Sequence, residues 1–254
     1  MTQLPDTAAR LAARKPDGER PLIMHHRWEA LLFLHWKISA AEIQPTLPDG
    51  LTVDTFDGDA WLAISPFFMR KVRPIGLPPL PWLSEFQELN VRTYVHDKHG
   101  VPGIWFYSLD FDQPLAVVGA RTLTGLPYFN AEMSAAADGV IDYCSRREGT
   151  DDVARYRYRP AGMPRPAQPD SLEFFLLERY YLYSQREGSL VRSQVSHRPY
   201  RVRDAEIQTS SALPLHLDGF PAIPDTAVHV CFVDGFDVEV YARKLSPELG
   251  AGRI

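Results

Sequence analysis

Read as a pattern of apolar and polar positions, most of the chain is a succession of short strand-like runs punctuated by turn residues. Leu51 to Phe56 and Ala60 to Ile64 flank Asp57-Gly58, and that spacing predicts a hairpin with a Gly-containing loop. Leu89 to His96 and Gly103 to Phe111 flank Asp97-Lys98-His99-Gly100 and predict a second. Leu115 to Thr122, Tyr128 to Ser134, Val140 to Ser145, Val153 to Arg159, Leu190 to Val195 and Val228 to Ala242 continue the strand rhythm. Such spacing suggests a barrel or sandwich. Two stretches read as helix. Ser39 is placed to cap a short one over Ala40 to Pro45, with Glu42 as its capping-box partner. Ser171 to Gln185 lacks period-2 alternation and is expected to be helical up to Gly188. The bulky run Trp28 to Trp36 fits either a strand or a helix, because periodicity alone does not separate them. Arg73 to Trp82 holds Pro74, Pro78, Pro79 and Pro81, so it is expected to be a stiff irregular loop over the core.

Composition narrows the classes. A chain of 254 residues with 45% hydrophobic side chains can bury a large core within one domain. Its net charge of -5 argues against a nucleic-acid partner, which needs a basic stripe to displace counterions. No run approaches the ~18–20 apolar residues of a membrane span, so no membrane partner is expected. Cys144 and Cys231 stand far apart, in neither a disulfide framework nor a zinc pattern. Residues 1–20 are polar, mix both charges and read as a loose, flexible lead-in without the apolar middle of a signal peptide. The expectation is a cytoplasmic protein with a single β-barrel domain over residues 21–254.

Within the run Leu89 to His96, alternation puts Asn90, Arg92, Tyr94 and His96 on one face. An Arg and an Asn beside aromatic walls such as Trp105 suit a small carboxylate, since guanidinium donates paired hydrogen bonds to that group. The plainer reading is a solvated outer face. Gly119-Ala120-Arg121 and Gly125 to Asn130 read first as strand bends. His25, His26 and His35 lack the spacing of a metal site, and no nucleophile elbow or nucleotide-binding glycine pattern occurs. Glu178-Arg179 interrupts an apolar run, which points to paired buried charges, with a catalytic acid as the alternative.

Several separate blocks resemble the uncharacterised YqjF-like family: Arg27-Trp28 through Trp36, Leu47 to Leu51, Phe67 to Arg70, Glu88 to Val95, Gly125 to Tyr128 and Glu178 to Tyr180. That family is in turn distantly similar to the acetoacetate decarboxylase superfamily. The resemblance implies a mainly β, β-rich α+β fold: a bent antiparallel sheet or closed barrel with a few short helices around an internal cavity. In the decarboxylases a Gly-x-Pro-Lys-Lys block supplies a Schiff-base lysine. Here Gly125-Leu126-Pro127 is followed by Tyr128 and Phe129, and Asn90 stands where the catalytic glutamate would be. A phenol cannot form an imine, so Schiff-base decarboxylation is not expected. The resemblance implies a pocket lined by Asn90, Arg92, Arg121 and Tyr128, to which the strand alternation adds Trp105, and neither a cofactor nor a metal is expected. A small carboxylate is the expected partner, and a homo-oligomeric or other protein-interaction role is the alternative.

Overall fold

The computed structural model describes residues 4–80, 82–114, 117 and 124–245. Helix α1 (Thr7–Ala12) is capped by Asp6, whose carboxylate accepts from the Ala9 N–H at 2.8 Å. The loose lead-in expected there is instead docked, because Arg10 is buried against Asp54 at 2.8 Å. Then follow β1 (Leu22–Ile38), α2 (Ala40–Ile43), β2 (Leu51–Val53), β3 (Ala60–Pro74), β4 (Phe86–Asp97) and β5 (Pro102–Phe111). Next come β6 (Tyr128–Asp138), β7 (Val140–Arg147), β8 (Ala154–Pro166), α3 (Leu172–Leu177), β9 (Tyr181–Arg186) and β10 (Ser189–Ser196). The described chain closes with β11 (Arg201–Thr209), α4 (Leu213–Leu217) and β12 (His229–Leu245). No helix among the described residues is long and apolar enough to cross a membrane.

The strands form one strongly bent sheet in the order β10-β9-β5-β6-β7-β8-β11-β12-β1-β3-β4-β2, with further pairings β10–β12 and β5–β4. Most neighbours are antiparallel. The exceptions are β5–β6 and β5–β9, which are parallel. β9 and β10 thereby lead from β5 back to β12, although the β5–β9 ladder pairs just Ile104 with Leu182 and Trp105 with Tyr183.

Central strands of this sheet are buried on both faces. Leu31, Phe33, Ala63, Phe86, Tyr94 and Phe106 belong to one core. Leu32, Leu34, Leu62, Ile64, Leu89 and Val91 face a second core on the other side. Burial on both sides explains why Leu31 to Trp36 reads as a continuous apolar run. It is strand, and Ala30, at φ 52°, sits where the β1–β3 register shifts between Glu29 and Leu34. Trp28 before that kink and Phe33 after it pack into the same core, so a strict alternation count fails there.

Other expectations are corrected by tertiary pairing. β2 does not form a hairpin with β3; it adds to the end of β4, Leu51 opposite Asp97. The helix expected over Ser171 to Gln185 keeps its Ser171 cap but stops at Leu177, and Tyr181 onward is strand. Glu178 and Arg179 end it because each is drawn into a buried ion pair, with Arg14 at 3.0 Å and Asp54 at 2.6 Å. The strand expected over Leu115 to Thr122 falls mostly outside the described residues, and Val117 within it is helical. The proline-rich loop does not lie over the core: Ile75, Leu77, Leu80 and Trp82 are exposed.

Gly103 marks a tight point where β5 meets β9. A Cβ there would sit 2.6 Å from the Tyr183 ring and 2.7 Å from the Tyr181 carbonyl oxygen. A backbone oxygen cannot step aside, so Gly103→Ala must push β9 off β5. The expected cost is about 1–3 kcal/mol, read as a lower midpoint in chemical denaturation. An unchanged midpoint would mean that the β5–β9 contact yields freely.

Candidate functional site

The polar face of β4 points inward. Glu88, Asn90, Arg92 and Tyr94 are all buried, with Phe86 and Tyr94 belonging to the first core. The plainer expectation of a solvated face is therefore wrong. A β-bulge on β5 shapes the wall opposite, where Val91 pairs with Ser108 but Arg92 pairs with Phe106. The extra residue, Tyr107, switches the inward parity of β5, so Ile104 and Phe106 before it and Leu109 and Phe111 after it share one core.

The structure brings Asn90, Arg92 and Tyr128 to this interior. Asn90 pairs with Leu109 and Leu109 with Tyr128, so Asn90 and Tyr128 lie in one row across three strands. Burial raises the Tyr128 phenol far above its ordinary value, and the nearby Glu88 carboxyl adds to the shift. Trp105 is not brought in: it packs against a third cluster containing Val95, Tyr181 and Tyr183. Its own strand parity explains this, since Trp105 lies opposite Thr93 while Arg92 and Tyr94 lie opposite Phe106 and Ile104. Arg121 lies outside the described residues.

Arg92 is 7% exposed and carries its guanidinium 5.0 Å above the Phe33 ring. Among the described residues no carboxylate lies within ion-pair reach of it, and its Nε has no hydrogen-bond partner. Asn90 Oδ1, Tyr94 Oη and His35 Nε2 are likewise buried without partners. Native interiors satisfy nearly all such atoms, so several unsatisfied ones in one core mark a place where something polar can bind.

Sequence reasoning missed Glu88, the next inward position before Asn90. Asn90 donates to its Oε1 at 3.1 Å, and Tyr143 donates to its backbone carbonyl at 2.9 Å. Burial raises the Glu88 carboxyl to about 8, against the opposing pull of Asn90 and Arg92. Extending the β4 alternation one step N-terminal would have revealed it. Glu88 therefore holds a proton at neutral pH and can donate a hydrogen bond or transfer the proton. A carboxyl raised in the folded state from 4.5 contributes its stabilisation in full at low pH and loses it as pH rises toward about 8. Glu88→Gln removes the titration. The variant is expected to match the wild type near pH 5 and to melt several degrees higher at pH 8.5. Parallel melting curves at both pH values would exclude a raised Glu88.

His25 and His26 are part of strand β1, and His35 contacts His229. Among the described residues no group of three or more His, Cys, Asp or Glu is arranged to hold a metal. All five lysines, Lys15, Lys37, Lys71, Lys98 and Lys244, are exposed, so none reaches this interior.

A family model, DUF2071, described as an uncharacterized conserved protein, matches residues 25–237. The uncharacterized protein YqjF of Bacillus subtilis (strain 168) is 41% identical over 197 residues, covering 77% of this chain and 80% of that protein. The enduracididine biosynthesis enzyme MppR complexed with pyruvate matches with a TM-score of 0.63 at 15% identity, over 91% of this chain and 94% of that one. An acetoacetate decarboxylase from Legionella pneumophila matches with a TM-score of 0.59 at 12% identity, over 97% of each chain. Identities this low show the fold alone: a mainly β, acetoacetate decarboxylase-like bent sheet with few short helices.

Proposed function

This chain belongs to the DUF2071 family of uncharacterized conserved proteins, and we propose that it binds a small organic acid inside its bent sheet, with Arg92 as the carboxylate anchor. One observation carries this reading: a buried guanidinium in an aromatic setting, with no carboxylate of the described residues within ion-pair reach and the nearby Glu88 carboxyl held protonated. A charge held that way is costly, and a bound anion compensates it. Asn90 and Tyr128, in one row across β4, β5 and β6, border the same interior. Protonated Glu88 supplies a donor for a carbonyl or hydroxyl oxygen of the ligand. The neighbour of the same fold held with pyruvate makes small keto acids the first compounds to try.

If the site is catalytic, its chemistry is acid–base rather than imine chemistry, because the lysines all lie at the surface. Glu88, with a carboxyl near 8, is better matched to proton transfer at neutral pH than the strongly raised Tyr128.

A thermal-shift screen of small carboxylates and keto acids beside the matching neutral amides tests the reading. Acids are expected to raise the melting temperature and amides to leave it unchanged. Equal shifts by acids and amides, or none by any acid, would overturn it. A second reading, docking or self-association through the proline-rich loop, rests on the exposed Ile75, Leu77, Leu80 and Trp82. A sedimentation coefficient that Trp82→Ser leaves at the monomer value would remove it.

A further inference from the structure

Resting on that carboxylate-binding reading, we propose that His35 is the second anchor for the ligand, on the other side of Ala63 from Arg92 in the strand row, with His229 fixing its tautomer. The strand register places these residues. His35 on β1 pairs with Ala63 on β3, and Ala63 pairs with Arg92 on β4. Adjacent strands are about 4.8 Å apart, so His35 and Arg92 leave the backbone roughly 10 Å from each other, with one methyl group between them. A carboxylate with a donor on each side fits that separation.

The surrounding rings orient both groups toward the same space. Phe33, two residues before His35, stacks on its imidazole with centroids 6.2 Å apart and planes 9° apart. The same Phe33 carries the Arg92 guanidinium at 5.0 Å. Tyr94 lies 6.3 Å from the His35 ring, with its hydroxyl close to Arg92 but without a formed hydrogen bond. His35 and Tyr94 are fully buried, yet His35 Nε2, Tyr94 Oη and Arg92 Nε have no partners among the described residues. Three such atoms on neighbouring strands call for a ligand that accepts at more than one oxygen.

His229 is placed to make His35 a donor. The two Nδ1 atoms are 3.0 Å apart, so one proton lies between them. Burial, with His229 and Arg92 adding to it, holds His35 neutral. In the proposed arrangement half-buried His229 donates its Nδ1–H to His35 Nδ1, which leaves the His35 proton on Nε2. The opposite tautomer would present a lone pair to the carboxylate and repel it. His229 is thus a positioning residue, and His35 touches the ligand.

Nitrogen-15 histidine NMR with sodium pyruvate as the probe tests this. In the wild type, His35 is expected to be protonated at Nε2 and not at Nδ1, with its Nε2 signal moving on pyruvate addition. His35→Phe keeps the stacking on Phe33 and is expected to weaken pyruvate binding about 10–100-fold. Ala63→Val, which enlarges the one side chain between the two anchors, is expected to weaken it as much while the protein stays folded. His229→Leu is expected to release His35 into a mixture of tautomers, which loss of packing alone would not produce. Protonation at Nδ1 in the wild type overturns the proposal. So does wild-type pyruvate affinity in His35→Phe while Arg92→Met no longer binds, and that outcome leaves the Arg92 anchor standing. A wild type blind to every carboxylate overturns both.

Discussion

Asp54→Asn is expected to destabilise the protein by about 3–5 kcal/mol, lowering the melting temperature by roughly 10 °C. Asp54 is buried just beyond β2, and one carboxylate oxygen accepts from Arg10 at 2.8 Å and from Arg179 at 2.6 Å. Arg179 is itself fully enclosed, over Phe175 at 4.4 Å and Tyr94 at 5.1 Å. Burial pushes the Asp54 carboxyl up, but Arg179 and Arg10 outweigh it and hold the group below its usual range. Removing that charge leaves two cations sharing one interior. Because the folded value is depressed, the contribution is present at neutral pH and is lost as pH falls through the folded value. Arg10→Met should cost less, since Asp54 keeps Arg179 while α1 loses its anchor. Chemical denaturation of both variants checks the ranking. A loss under about 1 kcal/mol for Asp54→Asn would show that the two arginines tolerate each other.

Arg92→Met is expected to act in the opposite direction, raising stability by about 1–3 kcal/mol while abolishing carboxylate binding. An apolar side chain of similar length fills the space beside Phe33 without the cost of a buried, unpaired cation. Gain of stability with loss of binding is the signature of a residue kept for a ligand. A destabilisation comparable to that of Asp54→Asn would instead assign the guanidinium a structural duty. The two arginines thus make a matched comparison: both are buried against Phe or Tyr rings, but Arg179 has its carboxylate within the chain.

Much of the strand layout was legible because local signals agreed with tertiary pairing. The β4–β5 and β6–β7–β8 runs are antiparallel neighbours joined by turn residues, and alternation alone placed Asn90 and Arg92 together. What could not be read depended on long-range partners. Nothing within Leu172 to Gln185 announces that Glu178 and Arg179 will pair with Arg14 and Asp54, and those pairs end α3 early. The β5 bulge at Tyr107 likewise depends on the facing strand, and Trp105 points to another cluster than the one holding Phe106. β11 was missed because its apolar residues, such as Val202 and Ile207, are interleaved with charges. The resemblance directed attention to Asn90 and away from Glu88, although the two share one face and one hydrogen bond. His35 was weighed in the sequence only as a metal ligand and set aside, because its row with Ala63 and Arg92 exists only once the strands pair.

Titration calorimetry of sodium pyruvate into the wild type and into Arg92→Met tests the central claim most directly. The expected result is a saturable, one-to-one isotherm for the wild type and no measurable heat for a variant that still melts cooperatively at the same or higher temperature. Isotherms of equal affinity for the two proteins would contradict the assignment of Arg92 as the anchor.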